Sequence, residues 1–171
     1  MVQQRMRIRM QASLADVAAS APTPPSHRPG SMDDLEWQSE LAWEVYPRRH
    51  PFASWEAVEA LNAEMRAGEW GELVPEASPV AETDDGRVRG FVATIRRVPK
   101  FDLPDCPYVI NVITAPEFRR QGIAAGLLGA AAAALLADGE IEIALTVDDD
   151  NPSAIALYES LGFTEIGRVP A

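Results

Sequence analysis

The sequence predicts an α/β fold in which helices cover one mixed β-sheet. A hairpin pattern at 78–97 and a strongly apolar segment at 108–114, which we expect to be a central strand, give several strands in succession. The last third then alternates helix and strand, over 123–137, 141–147, 151–161 and 163–169. Strands in succession followed by alternating helices and strands are typical of a mixed sheet with helical layers.

The first 30 residues contain a strand pattern, a short helix pattern and a proline-rich loop. Apolar residues alternate with arginines over 5–10, "RMRIRM", as in a strand with one solvent-exposed face. Residues 13–20 fit a short helix, whereas 21–31 contain too many prolines for either element. We expect a single domain over 1–171, in which 1–30 form a first strand and a long loop; a peripheral tail is the alternative.

Two helices and a hairpin follow. Ser31 and Asp34 form a capping-box pattern ahead of the first helix. Ser54 is placed to cap the second helix, and Gly68 is placed to end it. An Asp-Gly turn at 85–86 then predicts the hairpin.

Composition and charge exclude several classes of protein. Of the 171 residues, 47% are hydrophobic and 24% charged, which is ordinary for a soluble globular protein. The net charge of −11 argues against a nucleic-acid or anionic-membrane binder, because neutralising phosphates requires a basic surface. A single cysteine, Cys106, excludes an intrachain disulfide. The longest apolar run, 123–137, is shorter than the roughly 20 residues that span a bilayer. We therefore expect a cytoplasmic protein.

The stretch "PEFRRQGIAAGLL" at 116–128 places two arginines at the start of a predicted helix. Helix starts usually carry acidic or hydroxyl residues, because their free N–H groups and positive dipole end favour negative partners. A bound diphosphate would supply the missing negative charge, and Gly122 and Ala124 would leave room for it. A solvated loop with no function is the alternative.

The second pattern is "NPSAIALYESLGF" at 151–163. Asn151 is placed as the helix cap, Pro152 as the first helical residue and Gly162 as the helix-ending residue. Tyr158 lies on the apolar stripe of this helix, where its hydroxyl would require a partner. A core tyrosine with a satisfied hydroxyl is the alternative to a catalytic one.

Together the two patterns resemble the GNAT superfamily of acyl-CoA-dependent N-acetyltransferases. The matching residues are Arg119-x-x-Gly122-x-Ala124 and Asn151-x-x-Ala154-x-x-Leu157-Tyr158-x-x-x-Gly162-Phe163. The resemblance is strong over 108–166 and rests on element order alone over 5–107. It implies a mostly antiparallel sheet flanked by helices, with a splayed pair of parallel strands at the cofactor site.

The resemblance also implies a binding site for acetyl-CoA. Backbone amides would hold the pyrophosphate at Arg119, Arg120, Gln121, Gly122, Ile123 and Ala124. The pantetheine arm would hydrogen-bond to the strand at Val112, Ile113 and Thr114, where the family more often has valine at the last position. Asn151 would contact the arm from the other side, and Tyr158 would face the thioester sulfur and protonate the leaving thiolate.

The sequence does not show which residue would act as the general base. An acceptor amine with a pKa of about 10.4 is almost fully protonated at pH 7, so a proton must be removed before it attacks. Family members often have a carboxylate on the strand before the pyrophosphate loop, but "YVINVIT" has none. Asn111 could hold a water that relays the proton, or it could be an ordinary sheet residue; Glu82 on the hairpin is another candidate. We see no spacing typical of metal ligands and expect no metal.

We therefore expect transfer of an acetyl group from acetyl-CoA to a primary amine, by direct attack through a tetrahedral intermediate. A non-catalytic acyl-CoA-binding sensor with the same fold is the alternative. The acidic net charge and the run Asp148–Asp150 favour a cationic small-molecule or peptide amine, although such a run can also be a solvated loop. We expect neither nucleic acid nor membrane as a partner, and the sequence leaves a homodimer open.

Overall fold

A computed structural model describes residues 3–171. Its strands are β1 (Met6–Ser13), β2 (His27–Arg28), β3 (Val80–Glu82), β4 (Val88–Ile95), β5 (Tyr108–Thr114), β6 (Glu142–Asp148) and β7 (Thr164–Pro170). Its helices are α1 (Leu14–Ser20), α2 (Leu35–Val45), α3 (Trp55–Arg66), α4 (Ile123–Ala137) and α5 (Pro152–Ser160).

The strands form one sheet in the order β2-β3-β4-β5-β6-β1-β7. Every neighbouring pair is antiparallel except β5 and β6, which are parallel. The predicted fold class, a mixed and mostly antiparallel sheet flanked by helices, is confirmed. β5 lies in the middle of the order, as its apolar sequence predicts.

The first strand lies inside the sheet. β1 pairs with β6 over Arg7–Ser13 and with β7 over Met6–Gln11, so both of its edges are hydrogen-bonded. The proline-rich segment that follows α1 contains the two-residue strand β2, which the sequence pattern does not predict because its alternation is too short to detect.

Helices cover both faces of the sheet. On one face α1, α4 and α5 pack over β1, β5 and β6 around a core that includes Leu14, Leu127, Leu145 and Phe163. On the other face α2 packs over β3, β4 and β5 around Phe91. The parallel pair is therefore bordered by α4 and α5 on one face and by α2 on the other.

Two glycines of α4 are explained by the proline-rich segment that crosses the helix. A Cβ on Gly129 would lie 2.4 Å from Ala21 Cβ, and one on Gly126 would lie 3.1 Å from Pro24 Cα. The segment that leads from α1 to β2 passes this close to α4. Side chains at these two positions would block that path.

The predicted helix caps are present. The Ser31 side chain and the Asp34 carboxylate form the reciprocal bonds of a capping box before α2. Ser54 Oγ accepts from Ala57 N at 3.1 Å at the start of α3. Each cap satisfies helix N–H groups that have no intrahelical partner.

Candidate functional site

The two parallel strands separate soon after they meet. β5 and β6 pair only at Tyr108–Ala144 and Val109–Leu145, although both strands continue for several residues. Beyond these pairs β5 stays bonded to β4, and β6 stays bonded to β1. The edges that face each other have no strand partner within residues 3–171. An extended ligand can hydrogen-bond along such an edge like an added strand.

A bulge in β5 accompanies the separation. The register with β4 shifts between Val109 and Asn111, which makes Ile110 the extra residue. Ile110 packs against the α2 side of the sheet, and Asn111 contacts a residue on that same side, Tyr46. The bulge therefore turns a polar side chain of the opening toward α2.

The turn between β5 and α4 presents a row of free N–H groups. Among the described residues, no backbone N–H from 120 to 125 has a hydrogen-bond partner. Arg120 and Gly122 both have positive φ, 64° and 72°. Left-handed residues in such a turn direct successive N–H groups toward one side, which makes a concave site for an anion. α4 adds the positive end of a 15-residue helix.

Gly122 is required by this backbone conformation rather than by packing. A Cβ at this position would meet nothing closer than Pro22 Cγ, at 3.9 Å. The space in front of Gly122 is open to a ligand. Its φ of 72° is a conformation that side-chain-bearing residues rarely adopt.

Arginines surround the turn. Arg119 and Arg120 are exposed, and neither takes part in an ion pair of the described residues. Arg89 Nη2 lies 3.5 Å from Gln121 Oε1, and its guanidinium lies 5.7 Å from the Phe118 ring. Arg89 cannot be predicted from the sequence as part of this site, because only the β4–β5 pairing brings it here. The turn is locally cationic in a protein of net charge −11.

The remaining predicted cofactor residues lie around the same opening. Val112 and Thr114 of β5 are half-buried, Ile113 is buried against the α2 side, Ile123 is buried at the start of α4, and Ala124 is half-buried beside it. Asn151 Oδ1 accepts from Ala154 N at 3.2 Å and caps α5, as predicted. The side-chain nitrogen of Asn151 takes no part in this cap.

Tyr158 projects from α5 into the core with only 8% of its surface exposed. Its ring packs against Phe163 with the centroids 5.7 Å apart. The hydroxyl has no hydrogen-bond partner among the described residues and is not sealed from solvent. Burial, with a smaller contribution from Tyr108, raises the pKa of Tyr158 to about 12.

All three tyrosines of the chain lie near the opening. The Tyr46 hydroxyl donates to Asn111 Oδ1 at 2.8 Å, and the Tyr108 hydroxyl donates to Thr146 Oγ1 where β5 and β6 are still together. Burial raises the pKa of Tyr46, and the nearby Tyr158 adds to the effect. The role of Tyr46 cannot be predicted from the sequence, because nothing local indicates that the residue after α2 reaches β5.

Asp148, Asp149 and Asp150 are not free carboxylates. The Arg49 guanidinium binds Asp150 through two contacts of 2.7 and 3.0 Å, which lower the pKa of that carboxyl. Asp148 lies 3.4–3.8 Å from three arginines, Arg5, Arg7 and Arg49. Asp149 Oδ2 accepts from Met6 N at 3.2 Å. The acidic run that favours a cationic acceptor in the sequence is therefore mostly paired, because β1 and the α2–α3 connection bring arginines to Asp148 and Asp150.

Glu82 lies apart from the opening. Its Oε1 accepts from Arg28 Nε and Nη2 at 3.2 and 3.1 Å, and Arg28 also binds the buried carboxylate of Asp34. Glu82 lies on β3, where it pairs with Val88 of β4. Strands β4 and β5 both lie between it and β6. The structure brings Asn111 and Tyr158 to one opening and places Glu82 in this separate ion cluster.

Within residues 3–171, no group of three or more histidine, cysteine or acidic side chains is arranged to hold a metal ion. The same residues include no helix that is long and apolar enough to cross a membrane.

Comparisons with known proteins agree with this geometry. The sequence profile of the acetyltransferase (GNAT) family matches residues 31–163. Over 84 residues the chain is 40% identical to the mycothiol acetyltransferase of Kocuria rhizophila, a match that covers 49% of this chain and 28% of that protein. The chain thus spans less than a third of that relative.

Solved structures share the fold. A GCN5-related N-acetyltransferase from Sphaerobacter thermophilus superposes with a TM-score of 0.70 at 22% identity, over 96% of this chain and 50% of that one. AAC(6')-Iy, solved with the bisubstrate analog CoA-S-monomethyl-acetylneamine, superposes with a TM-score of 0.60 at 23% identity, over 85% of this chain and 95% of that one. With the family profile matched over most of its length, and with a splayed strand pair beside a helix N-terminus, the chain belongs to the acetyltransferase (GNAT) family.

Proposed function

We propose that this chain transfers an acetyl group from acetyl-CoA to a primary amine. The observation that carries the proposal is the separation of β5 and β6 beyond Val109 and Leu145, directly beside the free N–H groups of 120–125. The separated strands suit an extended arm, and the N–H groups suit a diphosphate. CoA contains both an extended arm and a diphosphate.

The residues around the turn fit the cofactor. The N–H groups from Arg119 to Ala124 would bind the pyrophosphate, with Arg119, Arg120 and Arg89 adding charge. The backbone of Val112, Ile113 and Thr114 would bind the pantetheine arm, and Asn151 would contact it from α5. The family relationship and the CoA analog bound to AAC(6')-Iy support this assignment.

Acetyl-CoA supplies a thioester whose C–S bond breaks as the amine nitrogen forms a C–N bond to the carbonyl carbon. The departing sulfur gains a proton, and the amine loses one. Tyr158 is the proposed donor to the sulfur. With its pKa raised to about 12, complete transfer to a thiolate of pKa about 8.5 would be uphill by about 5 kcal/mol. Tyr158 therefore acts by hydrogen-bonding the sulfur as charge develops, with proton transfer concerted with bond cleavage.

The acceptor is proposed to be a cationic amine of a small molecule or peptide. The run Asp148–Asp150 does not support this, since arginines pair with Asp148 and Asp150 and the backbone of Met6 binds Asp149. The support is the net charge of −11 and the exposed carboxylates of Glu36, Glu40 and Glu44 on α2, none of which pairs with a described cation. Asn111 and the tyrosines near the opening are not bases at neutral pH, so we assign removal of the ammonium proton to water.

An amine panel tests the function. Purified protein is mixed with acetyl-CoA and cationic, neutral or acidic amines, and free thiol and acetylated product are measured at low and moderate salt. We expect acceptor-dependent thiol release that matches product one to one and is fastest for cationic amines. Salt should slow it, because exposed charges are screened over about 8 Å at physiological ionic strength. Binding of CoA without turnover of any amine would instead favour the acyl-CoA sensor.

A further inference from the structure

The hydrogen bond between Tyr46 and Asn111 ties the α2–α3 connection to the strand that borders the opening. Tyr46 follows α2 directly, and its hydroxyl reaches Asn111 Oδ1 at 2.8 Å across 65 positions of sequence. Asn111 follows the bulge residue Ile110, where β5 has just left β6. The bond thus ends at the first polar side chain of the opened strand.

Tyr46 is held firmly in place. Its ring lies 5.0 Å from that of Phe52, and both pack against the core between α2 and the sheet. Its N–H donates to Ala42 O at 2.8 Å, and its carbonyl accepts from Arg48 Nη1 at 3.1 Å. The position of the hydroxyl is therefore determined by contacts independent of Asn111.

The direction of the bond follows from the surroundings of Tyr46. Burial raises the pKa of this phenol, the charges of Tyr158 and Asp148 raise it further, and Arg7 opposes them. Tyr46 thus keeps its proton at neutral pH and donates it to Asn111. An asparagine whose oxygen accepts has its amide plane fixed and directs its nitrogen elsewhere.

The amide nitrogen of Asn111 is then an available donor. It has no hydrogen-bond partner among the described residues and is not sealed from solvent, and Asn111 as a whole is half-buried. A neutral donor with a fixed direction beside a reaction site can stabilise negative charge that appears only in the transition state.

We propose that Asn111 Nδ2 donates to the acetyl carbonyl oxygen and that Tyr46 is the positioning residue that orients it. The assignment rests on the proposed function, since it requires the thioester to lie between β5 and β6. It places a side-chain donor on the α2 side of the opening, opposite Tyr158 on α5. Negative charge on the carbonyl oxygen grows as the C–N bond forms, and the donor binds it more strongly at that stage than in the ground state.

A double-mutant cycle tests the pair. Asn111→Ala should lower kcat by about 100-fold, the effect of losing one oxyanion donor. Tyr46→Phe keeps the ring packing and should lower kcat by about 10-fold, and the double variant should match Asn111→Ala within about twofold, because the two residues act as one unit. KM for acetyl-CoA should change less than about twofold. Ser39→Ala, which removes a hydroxyl that donates to Asn62 Oδ1 at 2.8 Å between α2 and α3, is the control and should keep wild-type kcat.

A second readout does not depend on turnover. In ¹⁵N-labelled protein, the side-chain amide of Asn111 is identified by its loss in Asn111→Ala, and acetyl-CoA is then added. We expect this resonance to shift in the wild type and to shift less in Tyr46→Phe, where the amide is free to rotate.

The outcomes distinguish the role assigned to Asn111 and Tyr46 from the proposed function itself. Backbone shifts at 119–125 without a shift of the Asn111 side chain would overturn this assignment alone, as would wild-type kcat in Tyr46→Phe or additive losses in the double variant. If acetyl-CoA shifts neither the backbone nor the side chain, the proposed function fails, and this assignment fails with it.

Discussion

Val109 of β5 and Leu145 of β6 form the last pair at which the two parallel strands are hydrogen-bonded. Beyond it the bulge at Ile110 bends β5 away, while β6 follows β1. One residue pair thus marks the closed end of an opening whose other end lies beside the free N–H groups before α4.

Gly122→Glu should abolish CoA binding. The new side chain would fill the open space before the turn, bring a negative charge to a diphosphate site and strain a backbone at φ 72°. Gly139→Glu is the matched control, because Gly139 has φ 87°, has open space around it and lies beyond the other end of α4. Calorimetric titration with CoA should show binding in the control alone. Equal affinity in both variants would place the pyrophosphate elsewhere.

Arg119→Ala should weaken CoA binding by about 10-fold, which is the scale of one charge-assisted hydrogen bond. Arg66→Ala removes an exposed arginine at the end of α3 that has no ion-pair partner within residues 3–171, and it should leave affinity unchanged. The difference between the two should shrink as salt rises. An equal loss of CoA affinity in both variants would mean that the net charge of the protein, and not a contact made by Arg119, determines CoA binding.

Much of the fold follows from local sequence. The helix expected over 123–137 is α4 to the residue, because a run made mostly of alanine and leucine follows Gly122 and ends at an Asp-Gly pair. The same holds for β5 and for the Asn151 cap of α5. Periodicity and capping are properties of neighbouring residues, so the sequence alone predicts them.

The parts that could not be predicted depend on contacts distant in sequence. Nothing in 5–10 indicates that β1 inserts between β6 and β7, and so nothing indicated that Asp148 would meet Arg5 and Arg7. Likewise, the α2–α3 connection brings Arg49 to Asp150. The sequence therefore shows an acidic run, whereas tertiary contacts pair Asp148 and Asp150 with arginines.

Tyr158→Phe should lower kcat by about 100-fold while leaving the fold and CoA affinity intact. Phenylalanine keeps the ring that packs against Phe163 and removes only the hydroxyl. Steady-state kinetics with acetyl-CoA, alongside thermal unfolding, separates the two effects. A variant with wild-type kcat would make Tyr158 a core residue and would favour the sensor alternative.

The buried tyrosines should make the protein sensitive to alkali. The folded pKa of Tyr158, about 12, exceeds an unfolded value of about 10, so the folded state keeps a proton that the unfolded state has lost. This difference in pKa contributes up to about 3 kcal/mol to the free energy of unfolding. The contribution is fully present below pH 10 and is lost as the pH rises toward 12. Burial raises the pKa of Tyr46 and Tyr108 in the same direction.

Absorbance of the phenolate measures this directly. At pH 10 the native protein should show much less phenolate than denaturant-unfolded protein, in which roughly half of the three tyrosines should be ionised. Tyr158→Phe should lose less stability than the wild type between pH 10 and 12. Native tyrosines that titrate near pH 10 would contradict the burial on which the argument depends.

Hydrogen exchange with and without CoA tests the central claim most directly. The free N–H groups at 120–125 and the unpaired edge of β5 at 110–114 should exchange rapidly in the free protein and slow markedly when CoA binds, while β7 should not change. Such protection, confined to these two segments, is what a cofactor bound as an added strand with its diphosphate at the start of α4 requires. Saturating CoA that leaves both segments unprotected, or protects a different part of the chain, would contradict the account.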